Sequence, residues 1–284
     1  MVRALLAQLA PVDGAVEPNV RRVEQVLRSH PDVELAVFPE LFLQGYALDG
    51  IAALALSLQG SALRRICAAA RHARTAVIVG FAERTRGGAV ANSAALVQAD
   101  GAIVAVHRKA HLFGDGERDV FMEGEELLVA RLAGRRVGPL VCFDMEFPEP
   151  ARALVRAGAD LLVTISANMS PYGAEHELAA RARALENRCP HLYVNRVGSH
   201  RDARFAGGSM AIDSSGAGRP ALADAEQLLE VQVPPAWADV GSDIDYLEHA
   251  RRDLPVRVVR PVGNAYKDLA TGMAGFANGH GGAT

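Results

Sequence analysis

Residues 136–166, RVGPLVCFDMEFPEPARALVRAGADLLVTIS, decide the fold class. The apolar run Arg136–Phe143 reads as a strand. Pro148–Ala157 reads as a helix, with its proline at a favoured first-turn position, and Leu161–Ser166 as a second strand. The same rhythm extends towards the N-terminus. Arg3–Leu9 is expected as a strand, Pro18–His30 as an amphipathic helix with Val20, Val23, Val26 and Leu27 on one face, and Leu35–Phe38 as a buried strand. A second round pairs a helix over Ser61–His72 with a strand over Ala76–Phe81. The strands Ser93–Gln98 and Ile103–Arg108 then flank the turn Ala99-Asp100-Gly101 as a β-hairpin, so the sheet is mixed. Towards the C-terminus, Glu175–Asn187 reads as a helix, and His191–Arg196, Ser209–Ile212 and Gln227–Val233 as strands. No long Gly-, Pro- or Ser-rich linker precedes residue 260 and no internal repeat is visible, which predicts one α/β domain over residues 1–262. From residue 263 the composition shifts to glycine and small side chains, and residues 263–284 are expected to be a flexible tail or an arm on a partner subunit.

Composition narrows the function. In 284 residues, half hydrophobic and 22% charged, the net charge is −3, and no basic run is long enough to follow a phosphate backbone or an anionic membrane. Nucleic-acid and membrane partners are therefore not expected. Met1–Ala10 is too short and too strand-like for a signal peptide, and no run of 18 apolar residues occurs. The cysteines Cys67, Cys142 and Cys189 lack CxxC spacing, which argues against a disulfide framework or a structural zinc site and for reduced thiols in the cytoplasm.

Three residues invite chemical readings, each beside a plainer one. Cys142 ends an apolar strand just before a turn and a helix, where a side chain is lifted from the sheet and the following backbone N–H groups can converge on an oxyanion; a free cysteine is also commonly a small buried hydrophobe. Glu40 follows the strand Leu35–Phe38 at the carboxyl edge where α/β sheets build their sites, although a solvated residue would look the same. Lys109 closes a hairpin strand between His107 and His111, where a lone lysine is usually at the surface. The two histidines read as structural, because strand geometry and the lack of a third ligand disfavour a metal. Together the set makes sense: a carboxylate can take a thiol proton, and an ammonium can lower a thiol pKa and hold an oxyanion.

At this point the sequence resembles the nitrilase superfamily of carbon–nitrogen hydrolases. Phe38-Pro39-Glu40-Leu41-Phe42-Leu43-Gln44-Gly45-Tyr46, His107-Arg108-Lys109-Ala110-His111-Leu112-Phe113 and Val141-Cys142-Phe143-Asp144-Met145-Glu146-Phe147-Pro148-Glu149 look like its Glu, Lys and Cys motifs, in the same order. Flanking matches are Asn92-Ser93-Ala94, Ala167-Asn168-Met169-Ser170-Pro171-Tyr172, Arg181–Asn187 and Asn195-Arg196-Val197-Gly198, and the likeness spans about residues 3 to 260. Phe143 stands where a tyrosine is frequent, a departure that touches only a hydroxyl beside the site.

The resemblance implies a four-layer αββα sandwich, a homodimer or higher homo-oligomer, and no metal or organic cofactor. It implies Cys142 as nucleophile, Glu40 as base and Lys109 as oxyanion partner. It also implies a second glutamate, placed at Glu117 by counting back from Gly124, with Asp115 as the alternative. Tyr46, Phe143 and Asn168 are the implied substrate contacts. Small aliphatic amidases, including the 5-aminopentanamide amidase type, fit the compact Lys loop best. Hydrolysis of N-carbamoyl compounds or nitriles remains the alternative, with acyl transfer or a non-catalytic binding subunit further off. The pocket is expected to be bounded by Glu40, Tyr46, Glu117 and Asn168, and Arg196, Arg201 and Arg204 are the cations that would reverse a preference against carboxylate-bearing substrates if they fold inward.

Overall fold

The computed structural model describes residues 1–235 and 246–251. The strands are β1 (Val2–Gln8), β2 (Leu35–Val37), β3 (Ala76–Arg84), β4 (Val90–Val97), β5 (Ile103–Arg108), β6 (Ala130–Leu132), β7 (Arg135–Val141), β8 (Leu161–Ser166), β9 (His191–Asn195), the two-residue pair β10 (Ser199–His200) and β11 (Ala203–Arg204), β12 (Met210–Ile212), β13 (Gly218–Pro220) and β14 (Gln227–Val233). The helices are α1 (Val16–Ser29), α2 (Ser61–Ala73), the short α3 (Gly114–Arg118), α4 (Pro148–Arg156), α5 (Gly173–Asn187) and the four-residue α6 (Tyr246–His249).

Two six-stranded mixed sheets carry the architecture, in the orders β14-β1-β2-β3-β4-β5 and β13-β12-β9-β8-β7-β6. Each has three parallel strands at its centre, β1-β2-β3 in one and β7-β8-β9 in the other, bordered by antiparallel neighbours. The chain thus repeats one topology without a repeat in its sequence, since each half needs only the alternation of apolar residues and not their identity.

That alternation sets the layers. On β1, Ala4 and Leu6 join Leu35, Val37 and Ile78 in a core shared with Val137, Val141, Leu161, Val163 and Ile165 of the other sheet. Leu5 and Ala7 point the opposite way, against Val20, Val23 and Leu27 of α1 and Leu63 and Ile66 of α2. The second sheet does the same: Leu140 and Leu162 pack on Ala151 and Leu154 of α4 and Ala180 and Ala184 of α5. Strands buried on both faces read as continuous apolar runs, which is why they are so legible here. The result is the expected four-layer αββα sandwich.

Element bounds agree within a few residues, and one of the small differences is informative. The strand expected to reach Phe143 stops at Val141, because Cys142 takes a left-handed backbone with φ of 47° and starts a 3-10 turn, Cys142–Glu146. A compact unit runs from Met1 to Glu248. The boundary expected at 262/263 and the tail 263–284 lie outside the described residues. Among the described residues no helix is long and apolar enough to cross a membrane.

Candidate active site

The carboxyl ends of two parallel strands and of the antiparallel edge strand β5 deliver the side chains in question. Glu40 lies three residues beyond β2, Lys109 follows β5, and Cys142 follows β7. Glu40 and Lys109 are both buried, so the surface readings open to each of them alone do not hold. The ammonium of Lys109 donates to Glu40 Oε1 and to Glu117 Oε1, each at 2.8 Å. Glu40 is further fixed by Asn92 Nδ2 on Oε1 (2.7 Å) and the Ala167 N–H on Oε2 (2.8 Å). Glu117, on α3, accepts from Tyr46 OH (2.6 Å) and, through Oε2, from the Phe113 N–H (2.8 Å). Asp115 is 98% exposed and pairs with Arg118 at the surface, so of the two acids considered for this place only Glu117 meets Lys109.

Electrostatics follow from this crowding. Burial alone would push the Lys109 pKa down, but Glu40 and Glu117 outweigh it and hold the ammonium well above its ordinary range. Burial raises the Glu117 pKa, with Lys109 acting against it. Burial likewise pushes the Tyr46 phenol well up, so it remains a donor to Glu117. The Cys142 thiol is also well above its ordinary value, through burial and the Glu40 charge, while Lys109 and a hydrogen bond from Ser166 Oγ to its sulfur (3.2 Å) draw it down. Such a thiol needs a base to become a nucleophile.

Asp144 ties these parts together, a role the sequence did not reveal. Its Oδ1 accepts from the backbone N–H groups of Ala110 (3.1 Å) and His111 (2.9 Å) and from His111 Nδ1 (2.9 Å); its Oδ2 accepts from the Val141 N–H (3.1 Å) and meets His107 Nε2 at 3.4 Å. One carboxylate therefore joins the loop that carries Lys109 to the turn that carries Cys142. Burial opposes its charge, but the hydrogen bonds from His107 and His111 win and hold the pKa well below the usual carboxylate range. His111 is raised in turn, chiefly by Asp144. Both histidines serve this network, and among the described residues no group of three or more His, Cys, Asp or Glu side chains could hold a metal ion.

Cys142, half-buried, opens onto a cavity of about 160 Å³ whose walls include Tyr46, Lys109, Phe143, Asn168, Tyr172 and Glu146. The expected boundary is corrected here: Tyr46 and Asn168 line the space, whereas Glu40 and Glu117 sit behind Lys109. Phe143 packs edge-on against Phe113, and Phe113 against Tyr172, which makes one wall aromatic. The amide of Asn168 donates to the Tyr172 carbonyl (3.1 Å) and fixes the loop between them. Glu146 and Glu175 place two carboxylates on the lining. Arg196 does fold inward, but it is held by Asp13 (2.8 Å) and stacks over Phe205; Arg201 and Arg204 are exposed and pair with Asp49 and Asp224. None of the three lines the cavity.

Sequence reasoning missed Ser166, Tyr193 and His176. The carboxyl-edge rule that found Cys142 applies equally to Ser166 at the end of β8. Tyr193 and His176 gave no signal, because they meet across 17 residues from different elements.

A carbon-nitrogen hydrolase family model matches residues 3–236. An (R)-stereoselective amidase from a Pseudomonas species is 38% identical over 251 residues, covering 87% of each chain. A Pseudomonas protegens protein named "Hydrolase in pqqF 5'region" is 38% identical over 231 residues, 80% of this chain and 81% of that one. Among solved structures, an amidase of the nitrilase superfamily from Nesterenkonia sp. AN1 superposes with a TM-score of 0.78 at 28% identity, covering 88% of this chain and 94% of its own. A mutant of that amidase carries the acetamide moiety of fluoroacetamide covalently on its active-site cysteine.

Proposed function

Because this chain belongs to the carbon-nitrogen hydrolase family of the nitrilase superfamily, we propose that it hydrolyses a short linear aliphatic amide to carboxylate and ammonia through a thioester on Cys142. The observation that carries this reading is Lys109 held between Glu40 and Glu117 beside a cysteine that opens on a small cavity.

In the proposed sequence Glu40 takes the Cys142 proton as the sulfur attacks the amide carbon. The carbonyl oxygen becomes an oxyanion, met by Lys109 and by backbone N–H groups after Cys142. The tetrahedral adduct then collapses: the C–N bond breaks, Glu40 delivers its proton to the departing nitrogen, and ammonia leaves. Water enters, gives a proton to Glu40 and attacks the thioester; the C–S bond breaks and the proton returns to sulfur. Glu117 keeps Lys109 in place, and Tyr46, Phe143 and Asn168 frame the substrate.

The lining favours an amide whose far end is neutral or carries an ammonium group. Glu175 would attract such a group, whereas a carboxylate would meet no free guanidinium there and would be desolvated at a cost of about 3 kcal/mol. The test is kcat/KM for butyramide, 5-aminopentanamide, N-carbamoyl-alanine and benzonitrile, with intact-mass detection of an acyl adduct. The expected result is ammonia release led by the two amides, and an adduct on Cys142 that vanishes in Cys142→Ala. A carbamoyl compound ahead by tenfold, or an adduct on Cys67 or Cys189, would refute it.

We further propose a homodimer, or a multiple of it, in the cytoplasm. Support for pairing comes from the outward face of α5, where Leu178 (72% exposed) and Leu185 stand seven residues apart, two helical turns on one stripe. A catalytic thiol and two further free cysteines suit a reducing compartment. Light scattering should give at least twice the 30.1 kDa chain mass, and a monomer at micromolar concentration would overturn the assembly.

A further inference from the structure

A file of polar side chains runs from the Cys142 sulfur to the cavity wall. Ser166 donates through Oγ to Cys142 Sγ at 3.2 Å. The Tyr193 hydroxyl, on β9, donates to Ser166 Oγ across 3.4 Å. His176, on α5, sets Nδ1 at 3.1 Å from Tyr193 OH and Nε2 at 2.8 Å from Glu146 Oε1. Ser166, Tyr193 and His176 are buried, while Glu146 reaches solvent.

Counting protons gives the file a direction. Ser166 Oγ also accepts from the Asn168 N–H at 3.1 Å, so with the Tyr193 hydroxyl both its lone pairs are occupied and its one proton points at the sulfur. With Tyr193 donating to Ser166, its oxygen is left to accept, and the His176 Nδ1 position faces it at 3.1 Å. Burial keeps that phenol well above its ordinary pKa, so it stays a donor. The file in this direction needs His176 to donate from both ring nitrogens, with the Glu146 carboxylate as the acceptor for Nε2. A neutral ring would instead accept the Tyr193 proton at Nδ1 and leave Ser166 without it.

We propose that Ser166, Tyr193, His176 and Glu146 form a directional hydrogen-bond relay that holds a donor on the Cys142 sulfur and favours its thiolate. Glu40 and Lys109, the charged groups that also face the sulfur, act on it separately. The proposal rests on Cys142 being the nucleophile, and it makes Tyr193, His176 and Glu146 positioning residues that act through Ser166. The Tyr193–Ser166 step is the longest, so the relay is most sensitive there.

The test reads the thiol directly, on the full chain without substrate. The rate of Cys142 labelling by methyl methanethiosulfonate, followed by peptide mass mapping at pH 7, 8 and 9, reports the thiolate fraction whether or not any amide is hydrolysed. In Tyr193→Phe and in Glu146→Gln that rate is expected to fall about tenfold at each pH, the equivalent of one pKa unit, with labelling of Cys67 in the same samples unchanged. Should Tyr193→Phe fail to fold, Glu146→Gln decides, because Glu146 reaches solvent and its amide keeps the acceptor for Nε2. A rate within about 1.5-fold of the wild type in Glu146→Gln would overturn the relay. Absence of amide hydrolysis with the slowing intact would instead overturn only the proposed reaction.

Discussion

Substituting Asp144→Asn removes one negative charge and converts one acceptor oxygen into a donor, at the point where the Lys109 loop meets the Cys142 turn. The amide oxygen can still receive the three donors that converge on Oδ1, from Ala110, His111 and the His111 ring. The amide nitrogen then replaces Oδ2 and turns its hydrogens on the Val141 N–H, which is left buried without its acceptor. That orphaned donor costs about 1–3 kcal/mol, and the loss of charge from the remaining bonds adds about 1 kcal/mol for each of two strong ones. A loss of about 3–5 kcal/mol in unfolding free energy is expected, in the range for breaking a buried charge network. Because Lys109 shifts with its loop, kcat/KM should fall about 100-fold even in the folded fraction.

The assay is urea unfolding by far-UV circular dichroism at several pH values, beside amide hydrolysis. In the wild type the folded Asp144 pKa lies below the unfolded one, so its stabilisation is present above about pH 3.9 and is lost as pH falls through the lower folded value. The folded His111 pKa is raised, so that contribution is present below about pH 6.5 and fades as pH rises through the raised value. Asp144→Asn should flatten both. A stability change under about 1 kcal/mol together with unchanged kcat/KM would refute the idea that this carboxylate couples the two loops.

Two other outcomes are expected. In Gly80→Ala the new Cβ would lie 2.4 Å from the Pro39 carbonyl oxygen, 2.5 Å from the Leu41 nitrogen and 2.7 Å from Glu40 Cα, so the Glu40 turn must move; kcat/KM should drop at least about 100-fold, with Cys142 still labelled by a thiol reagent and only about 1–3 kcal/mol lost in urea. His191 accepts from Thr164 and donates to the Ala180 carbonyl deep in the sandwich, and burial holds its pKa near 4, so the unfolded chain takes up a proton from about pH 6.5 downward that the folded chain refuses until about pH 4. Stability should therefore fall by up to about 3 kcal/mol as pH drops from 6.5 to 4, and His191→Gln should remove that slope in the same unfolding assay.

Much of this was legible in the sequence because the forces that built it are local or periodic. Strands β1, β3, β7 and β8, buried on both faces, appear as apolar runs, and α1 declares its face through Val20, Val23 and Leu27. Glu40, Lys109 and Cys142 stand out because each closes a strand, and their order matches a known family. The edge strands β6 and β13, three residues each, and the β10–β11 pair are too short to show a period. The exposed Asp115 and the buried Glu117 differ by half a turn of one short helix, which counting along the chain cannot separate. The Asp144 network was hidden for another reason: its partners Ala110 and His111 are more than 30 residues away and two of its five bonds are to their backbone N–H groups, which no side-chain motif records.

The left-handed backbone at Cys142 has a counterpart on the facing turn, where Leu41, directly after Glu40, has φ of 50°. Each conformation costs a side-chain-bearing residue about 1–2 kcal/mol that glycine would not incur. A chain under selection for persistence alone would be expected to carry glycine at both places. At Leu41 the leucine is fully buried against Ile51, Ala82 and Phe121, so packing offsets the strain. At Cys142 the sulfur faces an open cavity, and packing offsets much less. Cys142→Gly would therefore yield an inert protein that outlasts the active one on heating, and the gap between the two melting points would measure how far the working enzyme sits from the most durable form of its own fold.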